Sequence, residues 1–319
     1  MAMRRWTKDS AREEMPSANG HLLGGRPAWW LGLDGLEPVA FREPPLKTPW
    51  WTSAGRHQAP RGRALPGLAL LLALACNKPQ EAAVPTAALS PARIAAAADL
   101  SVAFEEMGQA YEQLHHEKVT LIFGASGTLA KQLSQGAPYD AFYSANAAFV
   151  DETIAAGSCD ASTKARYAQS HLVLWTRGKQ ADTAPKSLAE LEDPRFVKIS
   201  IAHPEHAPYG RAAKEALEKS GLWEKLRPRM VHADNVKHAL QFAQTGNADA
   251  AIVPLPLVLS LQDGQYTLLD KGLYTPVEQT SVRCKNGGNP EGAQRFAALL
   301  QSEQGRALMQ RHGFILLDP

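Results

Sequence analysis

The stretch KVTLIFGASGTLAKQL, Lys118 to Leu133, reads as a strand, a turn of very small residues and a helix in immediate succession. The strand-like part is apolar and β-branched, and Leu129, Ala130 and Leu133 then recur at helical spacing. From Phe123 onward no charged side chain occurs until Lys131. Small residues ahead of a helix leave its first backbone N–H groups open to whatever lies in front of them.

The same alternation continues on both sides. RIAAAA (93–98) leads into LSVAFEEMGQAYEQL (100–114), where Phe104, Met107, Tyr111 and Leu114 share one helical face. YDAFYSAN (139–146), HLVLWTR (171–177), VKISIA (197–202) and ADAAIV (248–253) are strand-like. GRAAKEALEKSGLWEKL (210–226) is a helix, and NVKHALQFAQTG (235–246) is another, with Val236, Ala239, Leu240 and Ala243 in phase and Gly246 at its stop. NPEGAQRFAALLQ (289–301) opens with Asn289 as cap and Pro290 in the first turn. Alternation of this kind predicts an α/β fold with mostly parallel strands.

The chain has 319 residues, a formal net charge of +2, 21% charged and 45% hydrophobic residues, which is ordinary globular composition with room for two lobes. It has no long basic run, so nucleic acid is not a suggested partner. Residues 1–63 carry PAWWLGLDG and TPWWTSAGRHQAPRGR with no sustained period, and are read as disordered or as sequence upstream of the true start. Arg56, Arg61 and Arg63 precede ALPGLALLLALAC (64–76), a basic region followed by a short apolar run ending in small residues. About 13 apolar residues is too short to span a bilayer and reads as a secretory signal. This segment resembles a bacterial lipoprotein signal, which implies lipidation of Cys76 after cleavage; Ala73 departs from it, standing where a large aliphatic is usual. An ordinary signal with an incidental cysteine is the alternative. Residues 77–92 form a Pro/Ala-rich tether, so the chain is expected to work in the periplasm, attached to the membrane only by lipid. Cys159 and Cys284 are left; an exported chain can oxidise them, and the sequence leaves a bridge and two separate thiols open.

Four helix starts stand out: AAAADLS with Asp99, FGASGT with Ser126, HPEHAPYGR with Tyr209, and HADNVKH with Val236. In parallel α/β sheets such starts gather at the carboxyl ends of the strands. Each offers free N–H groups and about half a positive charge, so several converging ones make an anion site without Lys or Arg. A donors-only site suits a fully ionised tetrahedral oxyanion. Any single start of this kind is most simply a capped helix; the reading rests on four together.

The motifs AAADL, FGASGTLAKQLSQGAPYDAFYSAN, HPEHAPYGRAAKEALEKSGLWEKL and ADNVKHALQFAQTGNADAAIV resemble the periplasmic molybdate-binding proteins of bacterial molybdate import systems, over Arg93 to Pro319. The resemblance implies a two-lobed periplasmic-binding-protein architecture with the ligand in the cleft, lobe I spanning 93–170 and 266–319 and lobe II 171–265. It implies no enzyme activity and no cofactor. The ligand would be molybdate or tungstate, bound as an oxyanion and not as a metal cation. The partners would be an ABC permease and its ATPase, and the receptor a monomer. Residue by residue, Ser126 would give hydroxyl and N–H, Tyr209 and Val236 a backbone N–H each, and Asp99 would fall where many members carry a serine. Pro254 falls where some members have a tyrosine hydroxyl and can supply neither that nor an N–H.

Asp99 is read first as a helix cap whose side chain turns away, with only its backbone in the site. The alternative is a carboxylate that accepts a hydrogen bond from a protonated anion such as phosphate, which keeps phosphate and sulfate open as ligands. A sensor is a further alternative. A serine hydrolase on Ser126 with His203 or His206 as base is weak, because Thr128 stands where G-x-S-x-G needs its second glycine. HPEH, with His203 and His206, lacks ligand partners at a useful spacing and reads as surface histidine.

Overall fold

The computed structural model describes residues 90–178 and 184–317. The readings of 1–63, of the signal at 64–76 with Cys76, and of the tether up to residue 89 lie outside them. Strand β1 is Ala92–Ala97, buried almost throughout because alanines let helices approach both of its faces. A single 3₁₀ turn, Ala98–Leu100, joins it to α1, Ser101–His115. Phe104, Met107 and Tyr111 are buried as expected, but Leu114 is 60% exposed. The helix ends at His116, in the left-handed region, and its apolar stripe has by then run past the core. Next come β2 (Val119–Gly124), α2 (Ser126–Ser134), β3 (Ala141–Ser144), α3 (Ala147–Ala155), β4 (Ala165–Ser170) and β5 (Leu172–Arg177). They are followed by β6 (Ile199–Ala202), α4 (Pro208–Lys219), α5 (Trp223–Leu226), β7 (Met230–Ala233), α6 (Val236–Gln244) and β8 (Ala250–Pro254). The chain closes with β9 (Gly264–Leu268), β10 (Val277–Arg283), α7 (Pro290–Gln301), α8 (Glu303–Arg311) and β11 (Ile315–Leu316).

Two sheets result, one in each lobe. The first has the order β11-β4-β10-β3-β1-β2 and the second β7-β6-β8-β5-β9. The expectation of mostly parallel sheets needs correcting, since both are mixed. β1 pairs in parallel with β2 and β3, and β6 with β7 and β8. β10 and β4 in the first sheet, and β5 and β9 in the second, run antiparallel to their neighbours. The cause is the path between lobes. β4 passes into β5 through His171 alone, and the chain returns through residues 269–276 into β10. Neither passage is a helical crossover, so neither restores the parallel sense.

The return point also moves one boundary. Tyr266, Thr267 and Leu268 pair with β5, so β9 belongs to the second sheet, and the chain re-enters lobe I in 269–276 and not at residue 266. The two passages are bonded together: the Leu172 N–H donates to the Tyr274 hydroxyl at 3.0 Å. Beyond the first sheet, Cys159 and Cys284 face each other on an isolated antiparallel bridge, with their sulfurs 2.14 Å apart. Among the described residues no helix is long and apolar enough to cross a membrane.

Candidate oxyanion site

β1, β2, β6 and β7 each lead through a short turn or loop into a helix, so four helix starts lie at strand carboxyl ends, two from each lobe. They meet around one small cavity, in which a water-sized body has about 10 Å³ to move. That is room for about one water in the closed form. Its walls are contributed by Asp99, Ser126, Tyr209 and Val236 with their neighbours, and no Lys or Arg lines it. All four sequence-predicted residues are therefore brought together. Pro254 ends β8 opposite Leu172 and is not part of the wall.

The caps explain what the site can do. Asn235 caps α6 by accepting from the N–H groups of Lys237 and His238, at 3.0 and 3.1 Å. The N-cap residues of α2 and α4 are Ala125 and Ala207, which have no capping side chain. Alanine is among the worst N-caps, so neither helix start spends its first-turn N–H groups on a capping side chain, and Ser126 of α2 and Tyr209 of α4 both line the cavity. Ser126 is fully buried, and its Oγ accepts from the Ala145 N–H at 3.1 Å. The Ser126 hydroxyl proton is thus free for a further acceptor, and its oxygen is bonded to a backbone amide and not to His203 or His206. The Gly127 N–H crosses the cleft to the His206 carbonyl at 2.9 Å. Lys237 reaches Glu105 across the cleft at 3.5 Å, and Arg211 lies over the Phe149 ring at 5.7 Å. The lobes are closed on one another.

Asp99 corrects the capping expectation. The turn that contains it has no side-chain cap, and the carboxyl is 1% exposed. Its Oδ2 accepts from the Gln279 amide at 2.6 Å, and the same amide donates to the Tyr209 hydroxyl at 3.2 Å. Its Oδ1 is buried without a partner. The side chain turns inward because β10 presents Gln279 to it, a residue far away in sequence. Burial raises the Asp99 pKa to about 7, against hydrogen bonds from Tyr209, its own backbone and Gln279 that act to lower it. Burial also pushes the hydroxyls of Tyr209 and Tyr167 well above their ordinary range, with the Asp99 charge adding to the effect.

Sequence reasoning missed a second grouping. The ligand atoms of His203, Glu205 and His206 lie within 4.8 Å of one another. The His232 ring, from β7, stands 5.1 Å from that of His203. The HPEH spacing was visible, but its partner arrives on a strand that only the fold places beside it.

A family profile described as bacterial extracellular solute-binding protein matches residues 92–315. The chain is 30% identical over 223 residues to the molybdate-binding protein ModA of Rhodobacter capsulatus, covering 69% of this chain and 86% of that protein. It is 27% identical over 233 residues to the molybdate-binding protein ModA of Escherichia coli, covering 69% and 87%. The solved Azotobacter vinelandii periplasmic molybdate-binding protein superposes with a TM-score of 0.66 at 24% identity, over 71% of this chain and all of the other. The fold is thus that of the solved Azotobacter protein, and the chain belongs to the bacterial extracellular solute-binding protein family.

Proposed function

We propose that this chain is an extracytoplasmic receptor that captures a tetrahedral oxyanion, molybdate with tungstate beside it, and delivers it to an ABC permease and its ATPase. It binds and releases without catalysis, acts as a monomer, and is tethered through Cys76. The anion is held by the Ser126 hydroxyl and N–H and by the N–H groups of Tyr209 and Val236, with Asp99 at its edge. One observation carries this reading: helix starts with alanine at the N-cap converge on one small cavity that, among the described residues, no Lys or Arg lines. The printed names of the relatives, molybdate-binding proteins, support the choice of anion. Closure suits a receptor, because a permease can then distinguish loaded from empty protein.

A second reading is favoured by the inward-facing Asp99 carboxyl. A carboxylate there would accept a hydrogen bond from hydrogen phosphate or hydrogen arsenate and would repel a bare dianion. A thermal-shift panel of molybdate, tungstate, sulfate, phosphate and arsenate separates the two. A ligand of the folded state alone stabilises by RT ln(1 + [L]/Kd), about 2.7 kcal/mol at a hundredfold excess over Kd. The largest shift is expected with molybdate and tungstate. A larger shift with phosphate would replace the anion, and no shift with any of them would sink the oxyanion reading.

A further inference from the structure

Asp99 poses a contradiction that the site must resolve. A dianion and a carboxylate cannot share a cavity of this size without strong repulsion. Yet Asp99 lines the cavity, is 1% exposed, and among the described residues has one carboxyl oxygen, Oδ1, buried without a partner. Its other oxygen is already fixed by the Gln279 amide. We propose that Asp99 is a neutral carboxylic acid while the anion is bound, its proton on Oδ1 donating to an anion oxygen, so that capture of a bare dianion takes up a proton from water.

This deepens the reading of the cavity as an oxyanion site and rests on it. The groups facing Asp99 are the Tyr209 hydroxyl from α4, the Tyr167 hydroxyl from β4 and Gln279 from β10. Both tyrosines stay neutral far above physiological pH, and no Lys or Arg lines the cavity to hold Asp99 ionised. Burial raises the Asp99 pKa to about 7 in the closed site, outweighing the hydrogen bonds from Tyr209, its own backbone and Gln279 that favour the charged form. A bound dianion occupies those same N–H groups and adds its own repulsion, which moves the carboxyl further towards the acid. Protonated, Asp99 turns from the one repulsive group into one more donor.

The test is calorimetry of molybdate binding to the wild-type protein between pH 5.5 and 9, in buffers of different ionisation heat. Proton uptake is expected to approach one per anion bound above about pH 8, with affinity falling about tenfold per pH unit there. Asp99→Asn, which keeps a donor but cannot titrate, should remove both the buffer dependence and the pH dependence. Affinity that is flat across this range with no buffer-dependent heat would overturn the proposal while leaving the oxyanion reading intact. Absence of binding to any anion in the thermal-shift panel would instead overturn the reading beneath it. The wild-type titration decides the matter even if the variant fails to fold.

The histidine grouping carries a second inference independently. The geometry points to a divalent transition-metal site formed by His203, Glu205 and His206, with His232 as the fourth ligand. Three imidazoles and a carboxylate suit zinc, nickel or copper. Ligand atoms around a tetrahedral zinc are about 3.4 Å apart for bonds near 2.0–2.1 Å, so the present spread within 4.8 Å closes by small rotations of exposed side chains. The His203 Nδ1 accepts from the Glu205 N–H at 3.3 Å, so its Nε2 carries the ring proton, and binding a metal through either nitrogen gives up that hydrogen bond or that tautomer. An ion here would stiffen the loop whose His206 carbonyl holds Gly127 across the cleft, tying metal to closure. Titration of the full protein with nickel or zinc chloride should show binding at micromolar levels that weakens at least tenfold in His206→Ala and in His232→Ala. Binding that is absent up to millimolar metal, or equal in the variants, would overturn it.

Discussion

Replacing Gly127 by alanine should weaken anion binding while leaving the free protein folded. A Cβ at this position would sit 2.9 Å from the His206 carbonyl oxygen and 2.9 Å from the edge of the Phe149 ring. Phe149 lies in the same lobe and can turn. The carbonyl belongs to the opposite lobe, and its loop is braced by the His206 N–H bond to the His203 carbonyl at 3.2 Å. Relief therefore comes by holding the lobes apart by about half an ångström at the point where the α2 and α4 donors face each other. Overpacking of this kind costs about 1–3 kcal/mol. It falls on the closed form alone, so it converts to a rise in Kd of about 5- to 150-fold. The open form gains the ordinary helix preference of alanine over glycine, about 1 kcal/mol, against the turned ring. Calorimetry with molybdate, paired with thermal melts with and without it, reads both quantities. A Kd within twofold of wild type, with a normal melt, would show that the liganded protein does not bring Gly127 and His206 together, and would refute the closure argument.

Ser126→Ala removes a charge-assisted donor and should cost about 1–3 kcal/mol of anion affinity by calorimetry. It also strips the buried Ala145 N–H of its acceptor, so denaturant unfolding should show a loss of about 1–3 kcal/mol even without ligand. The Asp99 pKa is raised in the closed form, so its contribution to closure is present below its ordinary value and lost as pH rises through about 7. Small-angle scattering of the anion-free protein should accordingly be more compact at pH 5.5 than at pH 8.5, and identical profiles would count against it. Reduction of the Cys159–Cys284 bridge, which spans 125 residues, should lower stability by about 4–5 kcal/mol on the chain-entropy account, measured by urea unfolding with and without reductant.

The parts of this fold that were legible in the sequence are local ones. The strand, small-residue turn and helix of 118–133 lie within one short window, and so do the caps at Asn235 and Asn289. β10 was not legible. Its sequence VEQTSVR buries Gln279 and Thr280, so it lacks the apolar alternation that marks a strand. Without β10 and β9 the sheets looked parallel, since the antiparallel strands are those that carry the chain between lobes. The direction of the Asp99 side chain depends on Gln279, 180 residues away. Local capping statistics could not supply it. The meeting of His232 with His203 likewise depends on β6 and β7 lying side by side.

The bridge between Cys159 and Cys284 also sets how the molecule carries load. All of lobe II lies between the two cysteines. Tension applied at the two ends of the chain passes from Cys159 to Cys284 through the sulfurs, and the intervening residues bear none of it. Tyr209 and Val236, on the lobe II wall of the cleft, are thus shielded from a pull on the chain ends, while Asp99 and Ser126, ahead of Cys159, are not. In a single-molecule stretching experiment the enclosed 125 residues, about 410–450 Å of extended chain, should lengthen the trace only after reductant is added.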